Sequence, residues 1–288
     1  MACSNLLEYR GWVYPSQIYD RDKLEYIYNE FQVRDQDVFS ITYPKSGSTW
    51  IQEILTLIQN DGDTTISQTV PIWERVNWLE PSIFSLDLDS LPSPRFLSSH
   101  LPVNLFPKSF FTSKAKAIYT VRNPRDVLVS LHYFSKVAGF LDELDNIEEL
   151  LPKFLRGEVF GGSWFDHVRG WLGVRDQVNL LILTYEELLQ DLRGSVVRIS
   201  NFLGKELNEA AIDSVVENAS FKIMKNNSMS NYSTFRKDIL DVQKGSFMRK
   251  GISGEWKDHF TPAMSESFDA AYKEEMKDIN FKFIWDQC

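Results

Sequence analysis

The chain has 288 residues, of which 43% are hydrophobic, and a formal net charge of −9 at pH 7. A chain of this length can bury a large core, and we expect one domain over 1–288. The negative charge argues against a nucleic-acid or membrane-surface binder, and no apolar run approaches the about 20 residues that a transmembrane helix needs.

The two cysteines and the first residues bear on location and metal binding. Cys3 and Cys288 lie near opposite ends, so nothing favours a disulfide, and two thiols suit a reducing compartment. The first residues lack the charged and then apolar pattern of a signal peptide, so we expect a cytoplasmic protein. No HExxH, CxxC or EF-hand pattern occurs, so we expect no metal site.

The first third of the chain predicts a strand followed by a helix. A helix is expected over 20–31, and a strand over Val38–Tyr43, where β-branched and aromatic residues run together. Apolar residues then recur at helical spacing over Trp50–Gln59, and a Gly62 turn ends that helix. The stretch 71–79 predicts a loop or a short helix.

The loop between this strand and this helix predicts an anion site. Pro44 sets its entry, Gly47 permits a tight turn, and Ser48 or Thr49 fits an N-cap or first-turn position. Orphan amide N–H groups and the positive helix end favour an anion, and Lys45 adds a full charge. The loop differs from G-x-x-x-x-G-K-[ST], because the lysine precedes the glycine and the first glycine is missing.

The middle of the chain predicts three more strands, over Arg95–Pro102, Lys116–Arg122 and Val178–Thr184. Asn123 and Pro124 fit the N-cap and first position of the helix that follows the second of these strands. Further helices are expected over 146–155 with Pro152 as a possible break, over 161–171, and from 185 to about 216. Flexible loops are expected over 85–94 and 226–247.

Strands that alternate with helices predict an α/β domain with a central parallel sheet flanked by helices. Ligands of such sheets bind beyond the carboxyl ends of the strands. Lys45, His100, Arg122 and Tyr185 each follow a strand, so we expect them on one rim. With the Lys45 loop, this rim would be a P-loop-like anion site.

Three segments together resemble the signature regions of cytosolic sulfotransferases: TYPKSGSTW at 42–50, RNPRD at 122–126 and RKGISGEWK at 249–257. The resemblance covers essentially the whole chain. SSHLP, PIWER, GSWFDH and NYS make the chain most similar to the hydroxysteroid branch. The resemblance implies a single domain that moves a sulfuryl group from 3′-phosphoadenosine 5′-phosphosulfate (PAPS) to a hydroxyl or amine and releases 3′,5′-adenosine bisphosphate (PAP), without a metal.

The resemblance also implies two anion clusters, because PAPS carries charge at two separate ends. The 5′-phosphosulfate would bind Lys45, Ser46, Gly47, Ser48, Thr49 and Trp50. The 3′-phosphate would bind Arg122, Ser130, Arg249, Lys250 and Gly251. The adenine would stack between Trp50 and Phe221, with Tyr185 at its edge. Ala219 stands where many relatives have a hydroxyl, which puts one adenine hydrogen bond in doubt.

His100 matches the base of the family, and a neutral imidazole suits proton abstraction near pH 7. Lys45 would neutralise the leaving phosphate oxygen in an in-line displacement, and Ser130 would hold Lys45 aside until the acceptor binds. Ser98 replaces a lysine of phenol-accepting relatives and is left out of the catalytic set. The other histidines, His132, His167 and His259, are expected to be structural or surface groups.

The acceptor pocket should be mostly apolar. The candidate wall residues are aromatic: Trp73, Trp78, Phe84, Phe134, Phe140 and Tyr232. They fit a steroid-like or other flat alcohol, and a phenol or aromatic amine almost as well.

The C-terminal segment bears on self-association. Relatives dimerise through a short segment with a lysine, then Thr-Val, then a glutamate. Here Pro262 in the segment 257–266 replaces the valine and removes a backbone donor. We therefore predict a monomer or a weak homodimer.

Two other interpretations stay open. A kinase-like or other ATP-using enzyme could use the Lys45 loop, but the chain lacks the triphosphate loop and an acidic metal motif. A non-catalytic binder of a nucleotide or an apolar ligand could keep the same fold, although an intact Lys45 and His100 argue against it.

Overall fold

The computed structural model describes residues 6–84, 86–143 and 146–287, so Cys3 and Cys288 lie outside the described residues. The strands are β1 (Leu6–Tyr9), β2 (Trp12–Pro15), β3 (Val38–Thr42), β4 (Asn77–Trp78), β5 (Phe96–Ser99), β6 (Lys116–Val121) and β7 (Asn179–Thr184). β1 and β2 form an antiparallel hairpin, and the other strands form one sheet in the order β4-β5-β3-β6-β7. Every pair in that sheet is parallel, which confirms the predicted α/β class.

The helices connect these strands and follow them. They are α1 (Arg21–Asn29), α2 (Ser48–Gln59), α3 (Thr65–Thr69), α4 (Ile72–Arg75), α5 (Pro124–Val137), α6 (Ile147–Leu155), α7 (Trp164–Gly173), α8 (Tyr185–Gln190), α9 (Leu192–Leu203), α10 (Glu209–Asn218), α11 (Phe221–Asn226) and α12 (Pro262–Met276). Within the described ranges, none of them is both long and apolar enough to cross a lipid bilayer.

The central sheet is buried on both faces, because neighbouring residues of a strand join different hydrophobic clusters. Phe39 and Ile41 of β3 pack in one cluster, with α5, α6, α7 and α12. Val38 and Ile118 pack in the other cluster, with α2, α9 and α10. This alternation is the period of two expected of a strand, and it confirms the predicted helical layers around the sheet.

Local capping explains where two helices start. The Asn123 side chain accepts a hydrogen bond from the Arg125 N–H at 3.0 Å, and Pro124 is the first residue of α5, as predicted. Thr184 and Glu187 form a reciprocal capping box at α8, so β7 leads directly into a helix. In α6, Pro152 lies inside the helix, which continues to Leu155 instead of breaking there.

Several elements differ from the sequence prediction. The β1–β2 hairpin, the two-residue strand β4 and the C-terminal helix α12 were not predicted. The predicted strand Arg95–Pro102 is shorter, because β5 pairs only over Phe96–Ser99. The segment 227–254 contains neither helix nor regular strand, apart from one bridge between Ala138 and Leu240.

Candidate active site

A cavity of about 400 Å³ lies at the carboxyl ends of the sheet strands. Residues that follow four different strands line it: Lys45 after β3, His100 after β5, Arg122 after β6 and Tyr185 after β7. The structure thus brings together the four residues expected on one rim. Parallel strands cause this convergence, because their carboxyl ends meet at one edge of the sheet.

The anion loop from Pro44 to Ser48 turns through left-handed backbone at Lys45 (φ +71°) and Gly47 (φ +106°). Gly47 caps α2, and a Cβ at Gly47 would lie 2.9 Å from the Tyr185 ring, so a side chain there would force a shift. Helix geometry leaves the first N–H groups of α2 without intrahelical acceptors. They lie at the cavity, because Ser48 and Thr49 line it.

Two basic side chains lie on the rim at this loop: Lys45 within the loop and Arg122 just after β6. Burial, with a smaller contribution from Arg122 and Arg249, lowers the pKa of Lys45 to about 7. Arg122 donates to the Lys45 carbonyl at 3.1 Å and to the Ile252 carbonyl at 3.0 Å, and its guanidinium lies 4.3 Å from the Tyr185 ring centroid. Arg122 therefore links the anion loop to the segment 249–257, which is called the C-terminal loop below.

The C-terminal loop brings a second cationic group to the cavity. Arg249 forms a two-pronged ion pair with the buried Glu255 carboxylate, and Lys250 lies 2.7 Å from the same carboxylate. The Arg249 contact is the largest cause that holds the pKa of Glu255 down at about 2. Asp126 of α5 accepts the N–H groups of Gly254 and Trp256, at 2.7 and 3.0 Å, and fixes the loop.

Aromatic side chains line the same cavity as these basic groups. Trp50 donates its ring N–H to the Ala219 carbonyl at 2.8 Å and contacts Tyr185 edge to face at 5.2 Å. Phe221 packs on Gly251 (φ +67°), where a Cβ would lie 2.2 Å from the ring. Trp50, Tyr185 and Phe221 all line the cavity, so aromatic surface forms this part of its wall.

His100 is buried at the end of β5. Its Nδ1 lies 2.8 Å from the Thr42 carbonyl oxygen, and because a carbonyl oxygen only accepts, Nδ1 carries the proton. Nε2 is then the free acceptor. Burial is the main cause that lowers the pKa of His100 to about 4, so the imidazole is neutral at pH 7. Trp78 packs on the ring at 4.7 Å between centroids.

The predicted acceptor residues occupy two layers. Trp78, Phe84, Phe134, Phe140 and Tyr232 line the cavity. Trp73 does not line it but packs behind, on Tyr232 at 5.1 Å and on Phe235 at 4.7 Å. The sequence analysis missed other wall residues from distant segments, which no local pattern marks: Ile18, Tyr19, Phe160, Phe235, Leu240 and Phe247.

The remaining candidates fall in and around the cavity. Ser130, Arg249, Lys250 and Gly251 line it, whereas Ser46 is buried in the loop and does not. Ser98 accepts a hydrogen bond from Gln52 at 2.7 Å. His167 is fully buried against Tyr119, and His259 lies 3.4 Å from Glu255. In the described ranges, no group of three or more His, Cys, Asp or Glu side chains could hold a metal ion.

The site combines basic side chains from two loops with aromatic side chains in one cavity, which suits a nucleotide with anionic groups at two positions. A neutral histidine beside an apolar cavity suits a small acceptor that must lose a proton. The arrangement defines a nucleotide-dependent group-transfer enzyme with an α/β fold.

Comparisons with known proteins specify the family. The model of the sulfotransferase domain matches residues 35–280. The chain is 51% identical over 278 residues to sulfotransferase 2B1 of Mus musculus, covering 96% of this chain and 82% of the relative. It is 45% identical over 285 residues to 3-beta-hydroxysteroid sulfotransferase of Cavia porcellus, covering 99% of both chains. The chain therefore belongs to the sulfotransferase family, in its hydroxysteroid branch, and is a PAPS-dependent enzyme.

A solved structure agrees with this assignment. Retinol dehydratase, in complex with androsterone and the inactive cofactor PAP, superposes with a TM-score of 0.82 at 29% identity. The superposition covers 92% of this chain and 88% of that one. Over most of its length, the chain therefore shares the architecture of a protein solved with PAP.

Proposed function

We propose that this enzyme transfers the sulfuryl group of PAPS to the hydroxyl of a small apolar acceptor of the steroid or alcohol type, in the cytoplasm and as a single domain over 1–288. One observation carries the proposal: the neutral His100 and the basic Lys45 line the same cavity, whose walls are rich in aromatic side chains. Relatives support the acceptor class, because one is named for 3-beta-hydroxysteroids and another is solved with androsterone.

The donor set fits a molecule with two anionic ends. Lys45 and the first N–H groups of α2 would hold the 5′-phosphosulfate, and Arg122, Ser130, Arg249, Lys250 and Gly251 the 3′-phosphate. The Arg122 Nε–H is buried and has no partner among the described residues, so it can donate to a ligand oxygen. Trp50, Phe221 and Tyr185 would hold the adenine by stacking and edge contacts. PAPS, when bound, supplies the sulfuryl group.

Each polar side chain then has a defined task. His100 Nε2 accepts the proton of the acceptor hydroxyl, because the Thr42 carbonyl keeps the Nδ1 proton in place. Lys45 neutralises the charge that develops on the leaving phosphate oxygen. Ser130 holds Lys45 aside until the acceptor is bound. The aromatic wall excludes water and orients the acceptor toward His100.

The test replaces His100→Ala and Lys45→Met and measures turnover and PAP binding by calorimetry. His100→Ala should abolish turnover and leave the Kd for PAP within about twofold, because the imidazole contacts the acceptor rather than the nucleotide. Lys45→Met should lower turnover and also weaken PAP binding. Turnover that survives His100→Ala would refute the assignment of the base.

The acceptor and the metal requirement need their own measurements. Steroids, other alcohols, phenols and aromatic amines are compared as acceptors by kcat/KM with labelled donor. A preference for phenols or amines would overturn the proposed acceptor class. Turnover should persist in EDTA, because Lys45 and the arginines supply the positive charge; a strict need for Mg²⁺ and ATP would instead support the ATP-using alternative.

A further inference from the structure

Two buried carboxyl groups occupy equivalent positions on opposite sides of the sheet. Glu80 lies two residues beyond β4, and Glu186 lies two residues beyond β7. β4 and β7 are the edge strands of the sheet, and each pairs with an inner strand that ends at the active site. Glu80 is fully buried and Glu186 is 6% exposed.

The strand register places Glu80 and Glu186 at the same distance beyond the last pair of their ladders. Trp78 pairs with Ser98 at the end of one ladder, and Glu80 and His100 each lie two residues further along. Val121 pairs with Thr184 at the end of the other ladder. Asn123 and Glu186 again each lie two residues further along their strands.

At both positions the backbone lies beyond the last paired residue of the ladder, and a carboxyl side chain accepts its N–H hydrogen bond. The His100 N–H donates to Glu80 Oε1 at 2.6 Å, and the Asn123 N–H donates to Glu186 Oε1 at 3.1 Å. A buried N–H without an acceptor is destabilising, so each carboxyl fixes the path of the backbone at that point. In both residues Oε2 is buried without a partner among the described residues.

We propose that Glu80 and Glu186 are matched positioning residues: Glu80 fixes the catalytic His100, and Glu186 fixes the Arg122–Asn123 corner that binds the 3′-phosphate. The inference rests on the proposed roles of His100 and Arg122. Glu80 holds the backbone at the end of β5 and Glu186 holds the backbone just after β6, so each should affect a different half of the active site.

The burial of both carboxyl groups indicates that the hydrogen-bond acceptor, rather than the negative charge, is what matters. Burial is the main cause that raises the pKa of Glu80 and of Glu186 to about 7, so a neutral acid is well populated at neutral pH. A neutral carboxyl still offers its carbonyl oxygen to an N–H donor. Glutamine has the same shape and the same acceptor, so it should replace either residue.

The experiment compares four variants of the full chain: Glu80→Ala, Glu80→Gln, Glu186→Ala and Glu186→Gln. Measured are kcat at saturating donor, the Kd for PAP and the melting temperature. Glu80→Ala should lower kcat by about tenfold or more, because a small displacement of a catalytic group is costly, with a much smaller change in Kd. Glu186→Ala should raise the Kd for PAP by about fivefold, with a smaller change in kcat. Each glutamine variant should recover most of the loss.

Three results would overturn the inference. The first is alanine variants that change kcat and Kd in the same proportion, as a general loss of stability would. The second is glutamine variants as impaired as the alanine variants. If an alanine variant fails to fold, the aspartate variant at the same position is used instead, because its shorter side chain withdraws the carboxyl from the N–H. The third result is a folded aspartate variant with unchanged kcat or Kd. Failure of the proposed function is distinguishable, because the unmodified enzyme would then show no turnover or no PAP binding.

Discussion

The Lys45 ammonium lies 3.6 Å from the centroid of the Phe134 ring, and Phe247 flanks it at 4.9 Å. A cation over an aromatic face is attracted to it, which favours the charged form. Burial opposes this attraction and prevails, because the pKa of Lys45 falls to about 7. Lys45 is therefore close to half protonated at neutral pH in the ligand-free protein.

PAP binding should weaken as the pH rises from 7 to 9. The ligand phosphates are mostly dianionic over this range, because their second pKa is about 6, so their charge changes little. Free Lys45 loses its proton above its pKa of about 7, whereas the bound anion favours the charged ammonium, so binding takes up a proton. Calorimetry in buffers of different ionisation enthalpy measures that uptake.

The control for this prediction is Lys45→Arg, which stays charged throughout the range. The pH dependence of PAP binding should be lost in this variant. A wild-type Kd that is constant from pH 7 to 9 would contradict the assignment of the titration to Lys45.

Turnover should resist mild acid. The pKa of His100 lies at about 4, chiefly because the ring is buried, so the base stays neutral at pH 5.5. We expect kcat at pH 5.5 to stay within about twofold of kcat at pH 7. A solvent-exposed imidazole with a pKa near 6.5 would instead lose about tenfold. The pH profile of kcat at saturating donor separates the two outcomes, with circular dichroism at each pH as the control for unfolding.

The sequence predicts the parts of the site that local chemistry determines. Gly47 and Lys45 stand in a loop between a strand and a helix, and that order suffices to predict an anion site. His100, Arg122 and Tyr185 each follow a strand, so the parallel sheet predicts that they meet. The β1–β2 hairpin was missed although Arg10-Gly11 lies between aromatic residues; a glycine-containing pair is a hairpin signal.

The sequence does not predict partners that meet only through the fold. Glu80 and His100 are 20 residues apart, and only the register of β4 and β5 brings them together. Glu255 belongs to a recognised motif, yet nothing local shows that its carboxylate pairs with Arg249 and Lys250. Strand β4 was missed because two residues carry no periodicity.

Removing the charge of Glu255 should tighten PAP binding. Glu255 is ionised at all ordinary pH values and pairs with both Arg249 and Lys250, so it competes with a ligand phosphate for them. Glu255→Gln should lower the Kd for PAP by about threefold or more and lower kcat through slower product release. Calorimetry and a pre-steady-state burst measure the two effects. The control is Asp238→Asn, in the exposed pair with Arg236, which should change neither the Kd for PAP nor kcat. Weaker PAP binding in Glu255→Gln would contradict the prediction and show that Glu255 orients Arg249 and Lys250 instead.

Breaking the buried ion pair between Glu53 and Arg75 should destabilise the protein and loosen the acceptor cavity. The two side chains lie 3.0 Å apart and are each 1% exposed. Glu53 also accepts from Ser230 at 2.7 Å, in the segment that carries Tyr232 into the cavity. Glu53→Ala leaves a buried cation unpaired and should cost about 3–5 kcal/mol in urea unfolding, with a higher KM for the acceptor.

The exposed ion pair of Arg156 and Glu158 offers the matched control. Glu158→Ala should leave the unfolding free energy almost unchanged, because exposed ion pairs contribute little to stability. An equal loss of stability in Glu53→Ala and Glu158→Ala would contradict the role assigned to burial.

Pro262 should leave this enzyme monomeric or weakly dimeric. Pro262 is the first residue of α12, where Thr261 caps the helix and its hydroxyl accepts from the Met264 N–H at 3.2 Å. A proline has no N–H to donate to a second chain, so pairing through the segment 257–266 loses one backbone hydrogen bond. Light scattering at micromolar concentration should give a mass near that of one chain. Pro262→Val restores the donor and should shift the mass toward a dimer; a tight wild-type dimer through this segment would contradict the prediction.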